Sequence, residues 1–219
     1  MHAIDAPPAL AELKPLHCDE WLVALDKPGG MLCVPGRGAD KQDCLASRVQ
    51  RVLDDALVVH RLDQATSGLV VFGRGAASQR VLSKAFAGRQ VRKTYVACVA
   101  GRMSEREGRI ELPMGADWPN RPRQQVDFER GKPSLTEWRL LSYDEASDSS
   151  RLALMPHTGR SHQLRVHLMA IGHPILGDTL YAPPQIAQLA SRLMLHAQSL
   201  GLPHPRDGAW LELECPAPF

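Results

Sequence analysis

The sequence has no cysteines spaced as CxxC, although it holds five: Cys18, Cys33, Cys44, Cys98 and Cys215. A scattered, odd set is neither a disulfide framework nor a zinc site, and reads as reduced thiols, mostly buried as small apolar groups, in a cytoplasmic protein. Long hydrophobic runs are missing as well. Stretches such as Tyr95–Ala100 last only a few residues, where a membrane-spanning helix needs about 20. The opening MHAIDAPPAL lacks the basic start and apolar core of a secretory signal. Neither standard glycine-rich phosphate loop occurs, and there is no GxSxG elbow, which weakens a serine-hydrolase reading. Nine histidines invite a metal test. His157, His162 and His167 are each five apart, which on a helix turns them about 140° from one another and on a strand alternates faces. The expectation is no metal.

What is present is a chain of 219 residues, 44% hydrophobic, long enough to bury a proper core. Residues 1–15, with Pro7, Pro8 and Pro15, read as a flexible N-terminal arm; one folded domain is expected over 16–219. Trp21–Leu25 reads as a strand, Lys27-Pro28-Gly29-Gly30 as a turn, and Met31–Val34 as a further extended run. Asp43 is a candidate cap for a helix with Leu45, Val49, Val52 and Leu53 on one face. Leu57–Val59 and Leu69–Phe72 are short β-rich runs. A helix is expected over Ala76–Ala87, with Ala77, Val81, Ala85 and Phe86 inward and Gly88 at its end. Val91–Ala100, Arg109–Leu112, Thr136–Tyr143 and Arg151–Met155 follow as strands, with a polar connector over Asp117–Pro133. Ser161 is a candidate cap for a helix carrying Leu164, Leu168 and Ile171 and closed by Gly172. Leu193–Leu200 and Trp210–Leu213 finish as strands. Strands that follow one another directly predict antiparallel pairing and the α+β class.

Net charge is only +2, yet residues 84–132 carry 11 Lys/Arg against 6 Asp/Glu. That segment suits a polyanion-binding strip, or a solvated surface with chance clustering. Trp118, Tyr95 and Phe128 lie within it, as stacking on bases would require, although spacing alone does not place them on one face.

Three segments stand out chemically. His60-Arg61-Leu62-Asp63-Gln64-Ala65-Thr66-Ser67-Gly68-Leu69 places an acid beside an arginine in a polar loop between apolar strands; its turn-forming residues also fit a plain turn. Arg92-Lys93-Thr94-Tyr95 opens a strand. Thr158-Gly159-Arg160-Ser161-His162-Gln163-Leu164-Arg165-Val166-His167 runs from a glycine turn into a helix start, where free N–H groups and two arginines attract an anion.

HRLDQATSGL, then RKTY, then TGRSHQLRVH is an ordered set that resembles the RluA-type pseudouridine synthases. LDKPGGMLCVPG, GHPILGD at 172–178 and RLMLHA at 192–197 extend the similarity from about Leu16 to the C-terminus. The compact length, DWPNRP at 117–122 and GKPSLTE at 131–137 most resemble the dual-specificity members that act on 23S ribosomal RNA and on transfer RNA anticodon stem-loops. The chain is too short for the S4-type RNA-binding domain of many relatives. The resemblance implies a pseudouridine synthase catalytic domain over 16–219, α+β, with a long, mainly antiparallel sheet and flanking helices. It implies an isomerase that needs no cofactor and no metal. Its partners would be structured RNA stem-loops, with no membrane and no obligate protein partner, and it would work as a monomer. By motif match Asp63 is the catalytic carboxylate, acting as a nucleophile on sugar or base or as a base toward the sugar. Arg165 matches the arginine that pairs with that aspartate, Tyr95 the aromatic that stacks on the target base, and Arg61 a residue that fills the space of a flipped base; Arg160 is the alternative partner. His60 is read as structural. Arg89, Arg92, Arg121 and Arg123 are candidate phosphate contacts. The competing readings are a synthase with one RNA target, a catalytically silent RNA-binding module, and a hydrolase using Asp63.

Overall fold

The computed structural model describes Leu13 and residues 15–219. The arm expected over 1–15 therefore lies outside the described residues except at Leu13 and at Pro15, which opens the first strand. In chain order the elements are β1 (Pro15–Cys18), β2 (Leu22–Lys27), α1 (Leu45–Gln50), β3 (Ala56–Val58), β4 (Ser67–Arg74), α2 (Gly75–Ala87), β5 (Arg92–Ala100), β6 (Glu107–Glu111), β7 (Met114–Ala116), β8 (Gln124–Val126), β9 (Leu135–Asp144), β10 (Ser149–Pro156), α3 (Gln163–Ala170), α4 (Pro184–Ala187), β11 (Leu195–Pro203) and β12 (Trp210–Glu214). The strand pairs described here are all antiparallel, as the succession of strands predicts. Among the described residues no helix is long and apolar enough to cross a membrane.

The chain divides into two compact units, residues 1–91 with 199–216 and residues 92–198 with 217–219. In the first, β2 pairs with β1 on one side and β4 on the other. Leu22–Leu25 and Val70–Phe72 are fully buried, so both strands read as continuous apolar runs rather than alternations. Helix α2 packs against β4 so closely that a Cβ on Gly73 would meet the Gln79 backbone N at 2.7 Å. That approach sets the helix's buried face. Ser78, Leu82 and Ala85 face inward, and Val81, expected in the core, is 45% exposed.

Two local expectations are corrected here. Helix α1 is capped by Cys44, whose Sγ accepts the Ser47 N–H while the Ser47 hydroxyl accepts the Cys44 N–H. Asp43 instead holds Arg48 through two hydrogen bonds. Residues 31–34 form no strand, because the Leu32 and Cys33 carbonyls accept the first N–H groups of α1, from Leu45 and Ala46.

In the second unit, β10 lies between β5 and β9, and β6 pairs with the far side of β9. Gly108 on β6 faces Trp138, whose indole would lie 2.7 Å from a Cβ there. The connector expected over 117–133 contains β8, which pairs with β7 as a separate hairpin. Helix α3 starts after His162, which takes the left-handed conformation (φ 56°), rather than after a Ser161 cap. The stretch before Asp178 is also tightly placed. Gly177 has φ +74°, and a Cβ on it would sit 1.8 Å from the Arg192 carbonyl oxygen. Gly177→Ala is therefore expected to destabilise by at least about 3 kcal/mol, combining left-handed strain with a backbone clash. For a chain of this size that is a loss of about 6–12 °C in melting temperature, measurable by calorimetry.

Candidate active site

In the first unit the candidate loop runs from His60 to Thr66 between β3 and β4. Its position is fixed from below by Lys27, which is fully buried at the end of β2. The Lys27 ammonium donates to the carbonyls of Pro28 (2.8 Å), Met31 (2.8 Å) and Gln64 (3.0 Å). Three N–H bonds thus meet three backbone oxygens, the complement an ammonium needs when taken out of water. The Gln64 carbonyl also accepts the Gly30 N–H (2.8 Å), and the Gln64 side-chain amide donates to the Gly30 carbonyl (2.9 Å). The LDKPGGMLCVPG turn and the HRLDQ loop are therefore one unit, tied at the residue after Asp63. Cys33 bears on the same loop: burial pushes its thiol pKa up, with the Leu62 backbone N–H working against that shift.

His60 anchors the other end. Its Nε2 accepts the Val71 N–H (2.9 Å), and its ring stacks on Phe86 of α2 at 4.5 Å. With Nε2 accepting, the ring is placed as a structural group, in keeping with its reading from sequence. Asp63 follows the buried Leu62 and is half-buried; Arg61 on the preceding position is exposed.

The second unit brings RKTY and TGRSH together. Lys93 and Tyr95 share a face of β5, both half-buried. The Lys93 Nζ lies 4.0 Å from where a Cβ on Gly159 would stand, and burial holds its ammonium below the usual lysine range. The Thr158–Arg160 turn is locked by Gln163, whose Oε1 accepts from the Thr158 hydroxyl (2.8 Å) and the Arg160 N–H (3.0 Å). The Gln163 amide nitrogen donates to the Leu135 carbonyl and the Thr136 hydroxyl, both at 3.0 Å. The Arg160 guanidinium reaches the Pro133 carbonyl at 3.3 Å, which draws in the GKPSLTE segment.

Arg165 is almost wholly buried, and its clamp within this unit is Asp178. Nε and Nη2 donate to the two carboxylate oxygens at 2.7 and 2.6 Å, the bidentate fork. Asp178 also accepts the Leu180 and Tyr181 N–H groups, and the Arg165 guanidinium lies 4.9 Å from the Tyr181 ring centre. The Tyr181 hydroxyl accepts the Gln124 N–H (2.8 Å) and lies 2.6 Å from His162 Nδ1. Asp178 and Tyr181 carry no role in the sequence reading. The signal for the first was the closing acid of GHPILGD.

The phosphate candidates differ in setting. Arg89 and Arg92 are exposed, and Arg89 has φ 56° beyond the end of α2. Arg121 is exposed with its guanidinium over the Trp118 ring. Arg123 is half-buried beside Tyr181, and its Nε is enclosed without a hydrogen-bond partner.

The histidines tested for metal have separate engagements. His157 pairs with Glu137, His162 with Tyr181, and the fully buried His167 lies between the Ser134 and Thr136 hydroxyls. In the first unit, His17, Asp19 and His204 do cluster ligand atoms. Asp19 Oδ2 is 2.7 Å from His17 Nε2 and 2.9 Å from His204 Nε2. His204 Nδ1 accepts the Arg206 N–H, which puts the ring proton on Nε2, facing Asp19. The arrangement is a carboxylate between two imidazole nitrogens. Burial alone would raise the Asp19 carboxyl; bonds from both histidines and from the Trp21 and Leu22 N–H groups outweigh it and hold it well below the usual range.

A family model described as RNA pseudouridylate synthase matches residues 21–170. The dual-specificity RNA pseudouridine synthase RluA of Yersinia pestis is 47% identical over 204 residues, covering 93% of this chain and 98% of that protein. The protein of the same name from Escherichia coli K12 is 46% identical over 213 residues, covering 97% of each. Among solved structures, human RNA pseudouridylate synthase domain containing 1 superposes with a TM-score of 0.80 at 26% identity, covering all of this chain and 87% of that one.

Asp178→Ala would leave the buried Arg165 charge without its clamp, and a loss of about 3–5 kcal/mol is expected in chemical denaturation. His167 gives a pH signature. Burial lowers its pKa in the folded state, against the Leu112 carbonyl. Above about pH 6.5 the ring is neutral folded and unfolded; below it the unfolded chain takes up a proton that the folded one refuses. Stability should fall from about pH 6.5 toward pH 5, with this group adding up to about 1.4 kcal/mol per pH unit. Denaturation of the wild type and of His167→Gln across that window checks it, the variant showing the shallower slope.

Proposed function

Because the chain belongs to the RNA pseudouridylate synthase family, we propose that it isomerises a loop uridine to pseudouridine in 23S ribosomal RNA and in transfer RNA anticodon stem-loops. The reading is carried by the HRLDQ loop, braced by Lys27, in a chain 46–47% identical over nearly its whole length to dual-specificity synthases. The reaction breaks the N1–C1′ bond of the uridine, turns the base and rejoins it through C5. The C5 proton is released, N1 takes one up, and nothing is oxidised or added.

Asp63 supplies the carboxylate at the target nucleotide. Tyr95 stacks on the base, Arg61 fills the space the flipped base leaves, and Arg165, with Arg160 as the alternative, pairs with the carboxylate. Arg89, Arg92, Arg121 and Arg123 contact phosphates. A loop uridine suits the mechanism, since flipping a base out of a duplex costs a few kcal/mol more in unpairing and unstacking. The protein acts as a cytoplasmic monomer on RNA alone.

Asp63→Asn is nearly isosteric and is expected to abolish tritium release from C5-labelled uridine in a stem-loop, with circular dichroism and RNA binding retained. Activity within a few-fold of wild type would sink the role of Asp63. Tyr95→Phe should keep more activity than Tyr95→Ala, since stacking is worth about 1–3 kcal/mol per base. A Phe variant as inactive as Ala would assign chemistry to the hydroxyl. Strand breaks or free uracil in place of an RNA of unchanged mass would favour hydrolysis.

A further inference from the structure

We propose that Trp118 is a base-stacking platform, on which an unpaired nucleobase of the RNA stem-loop docks outside the catalytic pocket. The inference rests on the RNA synthase reading above and adds to it a substrate-binding residue.

Trp118 is 69% exposed, an unusual position for the largest apolar side chain. It sits on the loop that joins β7 and β8, and that loop is rigid. The Asp117 N–H donates to the Arg123 carbonyl (3.0 Å), the Asn120 N–H to the Asp117 carbonyl (3.1 Å) and the Arg123 N–H to the Asn120 carbonyl (3.0 Å). The Asn120 side-chain amide reaches both Asp117 carboxylate oxygens at 3.0 Å. The one acid of the loop is thus engaged by a side chain of the same loop. The base of the hairpin is tied to Tyr181 by the Gln124 N–H.

The indole is held by a cation. The Arg121 guanidinium carbon lies 3.3 Å from the Trp118 ring centre. A guanidinium stacked at that distance fixes the ring's orientation and adds positive charge to the pile, while the indole stays largely in solvent. An ordered, exposed aromatic with a cation stacked on it suits a nucleobase, and its ordering cost has been met before RNA arrives. Aromatic–arginine pairs also serve protein interfaces. The surrounding segment, residues 84–132 with 11 Lys/Arg against 6 Asp/Glu, favours a polyanion as the occupant.

The test uses the full chain and a minimal anticodon-type stem-loop carrying C5-tritiated uridine. Trp118→Leu should raise Kd and KM about 5- to 140-fold, the range that 1–3 kcal/mol of stacking gives at 1.4 kcal/mol per decade. The loss should fall on KM rather than on kcat at saturating RNA, and the melting temperature should hold. Trp118→Phe should recover most of the affinity, which a merely structural role would not require. Binding should quench the wild-type indole emission, and the quench should shrink in Trp118→Phe. Unchanged KM in Trp118→Leu with an undiminished quench would overturn the proposal and leave the synthase assignment standing, the surface then being one for a protein partner. A wild type that neither binds nor isomerises any RNA would overturn both.

Discussion

A buried ammonium has to be surrounded by oxygen, and Lys27 donates to three backbone carbonyls. Moving such a charge out of water carries an effective penalty of several kcal/mol unless its donors are matched. The match here is made by carbonyls from two segments 30 or more residues apart, so neither segment can take its native path without the other. The charge defines where the turn after β2 and the loop after β3 must meet. Asp63 is adjacent in sequence to the residue that closes this contact. The candidate carboxylate is therefore carried on a loop whose backbone is fixed by a charge, His60 fastening the opposite end to β4 and α2. Loops are ordinarily the mobile parts of a fold, and this one is stiffened at both ends.

The second unit solves the same problem with a different cation. Arg165 is planar and fork-shaped, so it takes a carboxylate as its clamp. Asp178 can serve because two backbone N–H groups orient it and because Gly177, in the left-handed region, lets the chain pass beneath the Arg192 carbonyl. Gln163, buried beneath the Thr158–Arg160 turn, uses its acceptor and donor groups in four bonds. Position is what these devices provide. An isomerisation of this kind depends on holding a base and a sugar in reacting geometry, and rigid polar groups act more strongly there than groups that must reorganise.

Much of this was legible in the sequence, and the misses share a cause. The α+β class, the apolar strands β2 and β4, and helix α2 with Gly88 at its end all follow from local pattern, because burial and turn chemistry are written residue by residue. The inward face of α2 differs from the hydrophobic pattern, because the close approach of the helix backbone to Gly73 turns Ser78, Leu82 and Ala85 inward. Capping was misassigned twice, since a cysteine thiol and a left-handed histidine are unusual choices that only the folded backbone justifies. The partner of Arg165 within its unit could not be read, because a sequence motif names a cation without saying which carboxylate stands opposite. Asp178 was visible only as the last letter of a conspicuous segment.

Exposed residues separate most clearly by what fixes them. Phe128 is more exposed than Trp118, yet among the described residues no cation–ring contact orders its ring, whereas Trp118 lies under Arg121 on a loop closed by three backbone hydrogen bonds. A solvent-facing aromatic that is merely tolerated gains nothing from such ordering, since immobilising side chains costs rotamer entropy. An aromatic that must present a flat face to a partner gains affinity from it, because the ordering is complete before binding. The same logic joins Trp118 to Lys27 and Arg165. In each case a positive charge is used to fix a group in place, first a loop, then a turn beside a helix, and at the surface an indole facing solvent.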